Sequence, residues 1–239
     1  MVDILTSQDL LQQQLNQASN KRSVKPKPVE LSKSTGIQYN ATWKKLVREI
    51  KTDVNKLLPL LRDLAPEYQA DSEIVISDSY VTSITSALRQ LVDKWTSPEF
   101  RDIATRLSSQ FVRTADRVNA DKFSKTMKGV GIDLFGDDST LTDYIDASIF
   151  DNTRLIMSIP EQYLTQVESI VMTNVRAGGR PSSIAKQLQK QFNVTENRAK
   201  MIARDQTAKV NGDLSKKRQQ ASGFEYFQWI DSGDERVRD

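Results

Sequence analysis

The chain has no cysteine and no histidine in 239 residues. Without cysteine there is no disulfide framework, no thiolate nucleophile and no Cys-type zinc site. Without histidine the common general base and the usual transition-metal ligand are gone as well. Carboxylates and lysines remain for a cryptic carboxylate enzyme, but the composition argues for a protein that binds and builds. No catalytic, cofactor-binding or metal-ligating residue is expected, and no cofactor. Long hydrophobic runs are also missing: none approaches the roughly 18 apolar residues of a membrane span. Asp3 and Asp9 stand where a secretory signal carries basic residues and then an apolar core. The expected place of synthesis and assembly is therefore the cytoplasm of the cell that makes the protein.

With 38% hydrophobic and 27% charged residues, the chain has an ordinary globular composition and is long enough for one large or two modest domains. The net charge of +3 is unevenly placed. Residues 1–159 hold 21 Lys/Arg against 21 Asp/Glu, residues 160–220 hold 11 against 5, and residues 221–239 hold 2 against 5. A local excess of six suits a polyanion or an acidic protein surface, or simply a solvated helical face.

Residues 1–38 are polar, with Gln12-Gln13-Gln14 and Lys25-Pro26-Lys27-Pro28. Such a segment buries too little apolar area to offset an ordering cost of roughly 1–2 kcal/mol per residue. It reads as an extended or partner-docked tail. Ile4, Leu5, Leu10, Leu11 and Leu15 would make one short amphipathic helix, docked on a partner or on the chain's own domain.

Residues 39–128 read as a helical bundle region. From Ala41 to Leu64 an apolar stripe through Trp43, Leu46, Val47, Ile50, Val54, Leu57 and Leu61 recurs every three or four residues. Pro59 is expected to kink or end that helix near Leu57. A second helix is read over Val81 to Trp95. A third starts at Ser97-Pro98-Glu99, where Ser caps, Pro suits the first helical position and Glu complements the positive end. It runs through Phe100, Leu107, Phe111 and Val118 toward Met127. Trp43, Trp95 and Phe111 are core candidates. Gly129, Gly131 and Gly136 then mark a boundary; with no G-K-[ST] and no preceding strand they read as a loop.

Residues 129–239 form the second region. A helix is expected after Pro160, ending at Gly178-Gly179. Another begins at Pro181-Ser182-Ser183, Asn193-Val194-Thr195 reads as a turn, and a further helix follows from Glu196. The last pair superficially matches a helix-turn-helix, but Ala185 lies nine positions before Val194 where the motif wants about five. Lys216, Lys217 and Arg218 are the candidates for nonspecific phosphate contact. Residues 224–230 are rich in β-formers on both alternating faces, which predicts a strand. The expected fold is thus mainly α, with long amphipathic helices followed by a small C-terminal β element.

Three fragments come in order. They are Asn197-Arg198-Ala199-Lys200-Met201-Ile202-Ala203-Arg204-Asp205-Gln206, then Gly223-Phe224-Glu225-Tyr226-Phe227-Gln228-Trp229, then Asp234-Glu235-Arg236-Val237-Arg238. Together they resemble the signature of the phage head-morphogenesis proteins, the minor head protein family typified by phage Mu. The resemblance runs over about 130–239, from Gly131-Ile132-Asp133-Leu134 through Ser158-Ile159-Pro160-Glu161-Gln162-Tyr163-Leu164. Ala199, Ile202, Ala203, Arg204, Asp205, Asn211, Gly223, Trp229, Asp234, Arg236 and Arg238 match family positions, mostly structural ones. The family pattern goes on to a His and an L-x-G beyond Asp239, so the motif is incomplete here: either the protein stops short of it or a further segment follows. The resemblance implies a virion protein that binds the portal during procapsid assembly, meets capsid or scaffold proteins and packaged DNA, and has no membrane in the assembled head. The competing expectation is a DNA-binding architectural or regulatory protein with a helix-turn-helix-like segment.

Overall fold

The apolar stripes become helices. A computed structural model describes residues 29, 33–63, 78–129, 132, 141–177, 179–222 and 224. Among them the regular elements are α1 (Lys33–Asn55), α2 (Leu57–Asp63), α3 (Asp78–Thr96), α4 (Pro98–Gly129), α5 (Thr142–Arg176) and α6 (Pro181–Ala221). The strand expected over 224–230 lies outside the described residues, apart from Phe224, which packs beside Phe123, Met127 and Ile132. Ile4, Leu5, Leu10, Leu11 and Leu15 also lie outside them.

One hydrophobic core joins helices from both sides of the glycine-rich boundary. Trp43, Ile50, Ile84, Val112, Ile156, Val167, Ile184 and Leu214 all belong to it. Helix α4 packs chiefly on α5, and α1 on α6. The α1–α6 pair is antiparallel: Gly36 sits against Thr207, while Lys51 Nζ lies 4.1 Å over the Phe192 ring. A Cβ on Gly36 would come within 3.3 Å of Thr207 Cγ2, so the small residue lets these helices close up. Helices α5 and α6 are antiparallel too, tied by Tyr144 to Asp213 near one end and Asn174 to Gln187 near the other.

The structure corrects three helix boundaries. Helix α1 starts at Lys33, so the expected tail gives way to helix before residue 38; buried Thr35 and the Gly36 contact anchor that first turn. The chain breaks at Lys56, near the predicted point, and Pro59 falls in the first turn of α2, where its missing N–H costs no helical bond. Pro160 does not start a helix but lies buried inside the 35-residue α5. It leaves the Ile156 carbonyl without its usual donor, yet Ile156, Ile159, Tyr163 and Leu164 are all buried around it, and their packing outweighs the lost bond.

The third correction matters most for function. The expected turn at Asn193-Val194-Thr195 is absent, because α6 is one unbroken helix of 41 residues. Phe192 and Thr195 are buried, the Thr195 hydroxyl donates to Gln191 O at 3.0 Å, and Gln189 Nε2 donates to Asn193 Oδ1 at 3.0 Å. None of the three turn candidates is Gly or Pro, so core contact on one face and local bonds on the other keep the helix running. A helix-turn-helix over residues 182–215 is therefore excluded. The predicted stop at Gly179 holds: its N–H donates to Asn174 O at 2.7 Å, and a Cβ there would meet Asn174 Oδ1 at 2.9 Å.

Buried positions of α4 step by four, four and three through Phe100, Ala104, Ser108 and Phe111, then by fours through Ala115, Asn119, Phe123 and Met127, with Val112 buried beside Phe111. Those of α6 behave alike, from Ile184 through Thr195 and Val210 to Arg218. This spacing exceeds the 3.5 residues of a left-handed coil and approaches an eleven-residue repeat, which predicts a right-handed wrap.

Asp53 ties the α1–α2 break to α3. Its carboxylate accepts from Lys56 Nζ at 2.7 Å, Lys94 Nζ at 2.5 Å and Trp95 Nε1 at 3.1 Å. Burial pushes this carboxyl up, but the two ammonium groups outweigh it and hold it below its ordinary value. Its contribution is therefore full above the unfolded carboxyl pKa of about 3.9 and is lost as pH falls through the lower folded-state value. Melting curves of the wild type are expected to lose stability between about pH 5 and about pH 2, and Asp53→Asn should flatten part of that loss. Identical pH profiles would show that the carboxylate is not held by the two lysines.

Candidate assembly interface

Two alanines of the Asn197–Gln206 fragment, Ala199 and Ala203, are buried in the α6 stripe, and Ile202 is half-buried beside them. Their small size suits a close helix approach of the kind Gly36 makes with Thr207. Arg204 and Asp205 face solvent, where Arg204 Nε donates to Asp205 Oδ1 at 3.2 Å. So exposed a pair adds little to stability. Gly223, Trp229, Asp234, Arg236 and Arg238 lie outside the described residues.

Asn211 is where the motif enters a polar network. Asn119 Nδ2 donates to Asn211 Oδ1 at 3.0 Å and to Ser215 Oγ at 2.8 Å. Arg218 in turn donates to Asn119 Oδ1 at 2.8 Å and to Asp116 Oδ1 at 2.5 Å. The Arg218 side chain is only 6% exposed, which corrects its reading as a phosphate contact: it is a structural cation joining α6 to α4. Of that basic triplet, Lys216 is exposed and Lys217 Nζ lies 5.3 Å over the Tyr144 ring. Asn119 and Asp116 were missed as network members. The signal for Asn119 was available, since it is a polar residue in phase with the apolar stripe of α4.

The surface offers apolar side chains without cover from the described residues. Phe150 on α5 is 62% exposed with the Arg154 guanidinium 5.9 Å above its ring, and Met201 on α6 is 58% exposed. Val194, seven residues before Met201 and so on the same side of α6, borders a cleft of about 560 Å³ between α5 and α6. Tyr163, Gln166, Gln191 and Arg198 also line that cleft. No group of three or more carboxylates among the described residues is placed to hold a metal, and none of the described helices is long and apolar enough to cross a membrane.

Residues 165–239 match the family described as phage Mu protein F like protein. Through this segment the chain is similar to the phage Mu protein F-like proteins, which supports a head-morphogenesis family. The F-like segment begins inside α5, later than the 130 expected from the sequence, and takes in all of α6. The chain is also 31% identical over 227 residues, 91% of its length, to an uncharacterized protein of Haemophilus influenzae. It spans about half, 48%, of that relative. No solved structure matches it. The F-like segment is not packed on itself alone: α1 and α4, both outside it, cover α6, and α4 completes the Asn211 network.

Proposed function

We propose that the chain acts as a minor head protein of a tailed bacteriophage, associating with the portal vertex during procapsid assembly and remaining in the virion. The F-like segment is the observation that carries this reading. Assembly would take place in the bacterial host cytoplasm, with capsid or scaffold proteins as further neighbours and packaged DNA within reach. The role is structural; the chain offers neither histidine nor cysteine for catalysis. A sequence-reading regulator is disfavoured by the unbroken α6, which leaves no separate recognition helix.

Exposed Phe150, Arg154 and Met201 have the character of interface anchors, since aromatic, Met and Arg side chains are enriched at such contacts. The full chain is expected to copurify with a portal ring encoded beside it. Phe150→Ala combined with Met201→Ala should weaken capture by at least tenfold, equivalent to about 1.4 kcal/mol, while leaving melting unchanged. No capture of the wild-type chain would sink the portal assignment; undiminished capture by the double variant would move the contact elsewhere.

A further inference from the structure

The charge count over residues 1–159 is balanced, and that balance conceals helix α4. Residues 98–129 hold seven Lys/Arg against four Asp/Glu, and one of the four, Asp116, is already neutralised by Arg218. Arg106, Arg113 and Arg117 follow one another at spacings of seven and four, which puts them on one side of the helix. All three are exposed, and among the described residues none has a carboxylate within ion-pair distance. Asp102 and Asp121 stand four residues beyond the two ends of the row without closing on it. Arg113 Nε donates to Ser109 Oγ at 3.2 Å, which steadies the side chain and leaves its two terminal nitrogens uncommitted by that bond.

Helical rise places the three arginines about 10 Å and about 6 Å apart along the axis. A duplex strand carries a phosphate for every 3.4 Å or so of its own axis, so a row about 16 Å long meets several phosphates within side-chain reach. Arginine's planar fork suits phosphate oxygens better than a lysine point charge does. A regular, unpaired row fits a repeating polyanion rather than a single acidic side chain. We propose that the Arg106–Arg113–Arg117 face of α4 is a sequence-independent contact for the phosphate backbone of double-stranded DNA. The inference rests on the head-protein reading for taking DNA as the polyanion.

The test is fluorescence anisotropy of the full chain with two duplexes of unrelated sequence, titrated across salt. The wild type binds both alike. Arg106→Gln, Arg113→Gln and Arg117→Gln together make the slope of log affinity against log salt shallower by about two to three units for both duplexes. Exchanging Lys216 and Lys217 for Gln changes it by less. Because the three arginines are exposed, the triple variant keeps the wild-type melting temperature and still captures the portal ring. An unchanged slope overturns the proposal, as does preference for one sequence or equal competition by polyglutamate, which would identify an acidic protein as the partner. If the wild type binds no DNA but captures the portal, the proposal fails and the head-protein reading stands; loss of portal capture by the wild type defeats that reading instead.

Discussion

Replacing Arg218 by methionine is expected to cost about 3–5 kcal/mol of unfolding free energy, the usual scale for removing one partner of a buried ion pair. The change strands the Asp116 carboxylate, itself 20% exposed, and takes the donor from Asn119 Oδ1. Urea denaturation measures it. Converting Asp116 to leucine in the same chain should recover much of the loss, since a well-packed apolar pair often equals a buried ionic one. A single variant within half a kcal/mol of wild type would mean that water reaches the pair, and that α4 and α6 are held by apolar contact alone.

Trp43→Ala is expected to destabilise by a similar amount, about 3–5 kcal/mol. The indole is 1% exposed at the centre of the core and stands edge-on to Tyr39 at 5.7 Å, and Tyr39 in turn stacks on Phe111. The Tyr39 hydroxyl donates to Asn152 Oδ1 at 2.8 Å, so the aromatic group links α1, α4 and α5. Among the described residues Trp43 Nε1 has no hydrogen-bond partner. Trp43→Phe should therefore cost much less than alanine: it fills most of the space and removes an unpaired buried donor. Equal melting losses for the two variants would show that a bond to the indole N–H, rather than its volume, holds the site.

The stripes of α1, α3 and α4 were legible because their helices bury one face and follow simple spacing. Ser97 was legible for a different reason: its side chain accepts from Phe100 N at 3.2 Å, a bond that depends only on local sequence. Pro160 and Asn193-Val194-Thr195 misled because punctuation residues act locally, whereas burial around Tyr163 and Phe192 is set by helices distant in sequence. Arg218 misled by composition. It lies four residues after Leu214, which lies four after Val210, so its phase on α6 marked it as inward-facing while its neighbours Lys216 and Lys217 suggested a basic surface. The F-like motif was read correctly as a pattern, but the partners of Asn211 lie on α4, outside the pattern, where no motif could name them.

The unbroken α6 has a mechanical consequence. Forty-one residues at helical rise make a beam about 60 Å long, clamped along its flank by α1 and α5 and free of any internal hinge. A push at the Pro181 end is not absorbed on the way; it arrives at Ala221 as a tilt or a displacement. Whatever docks at either end of this strut therefore senses the position of the other.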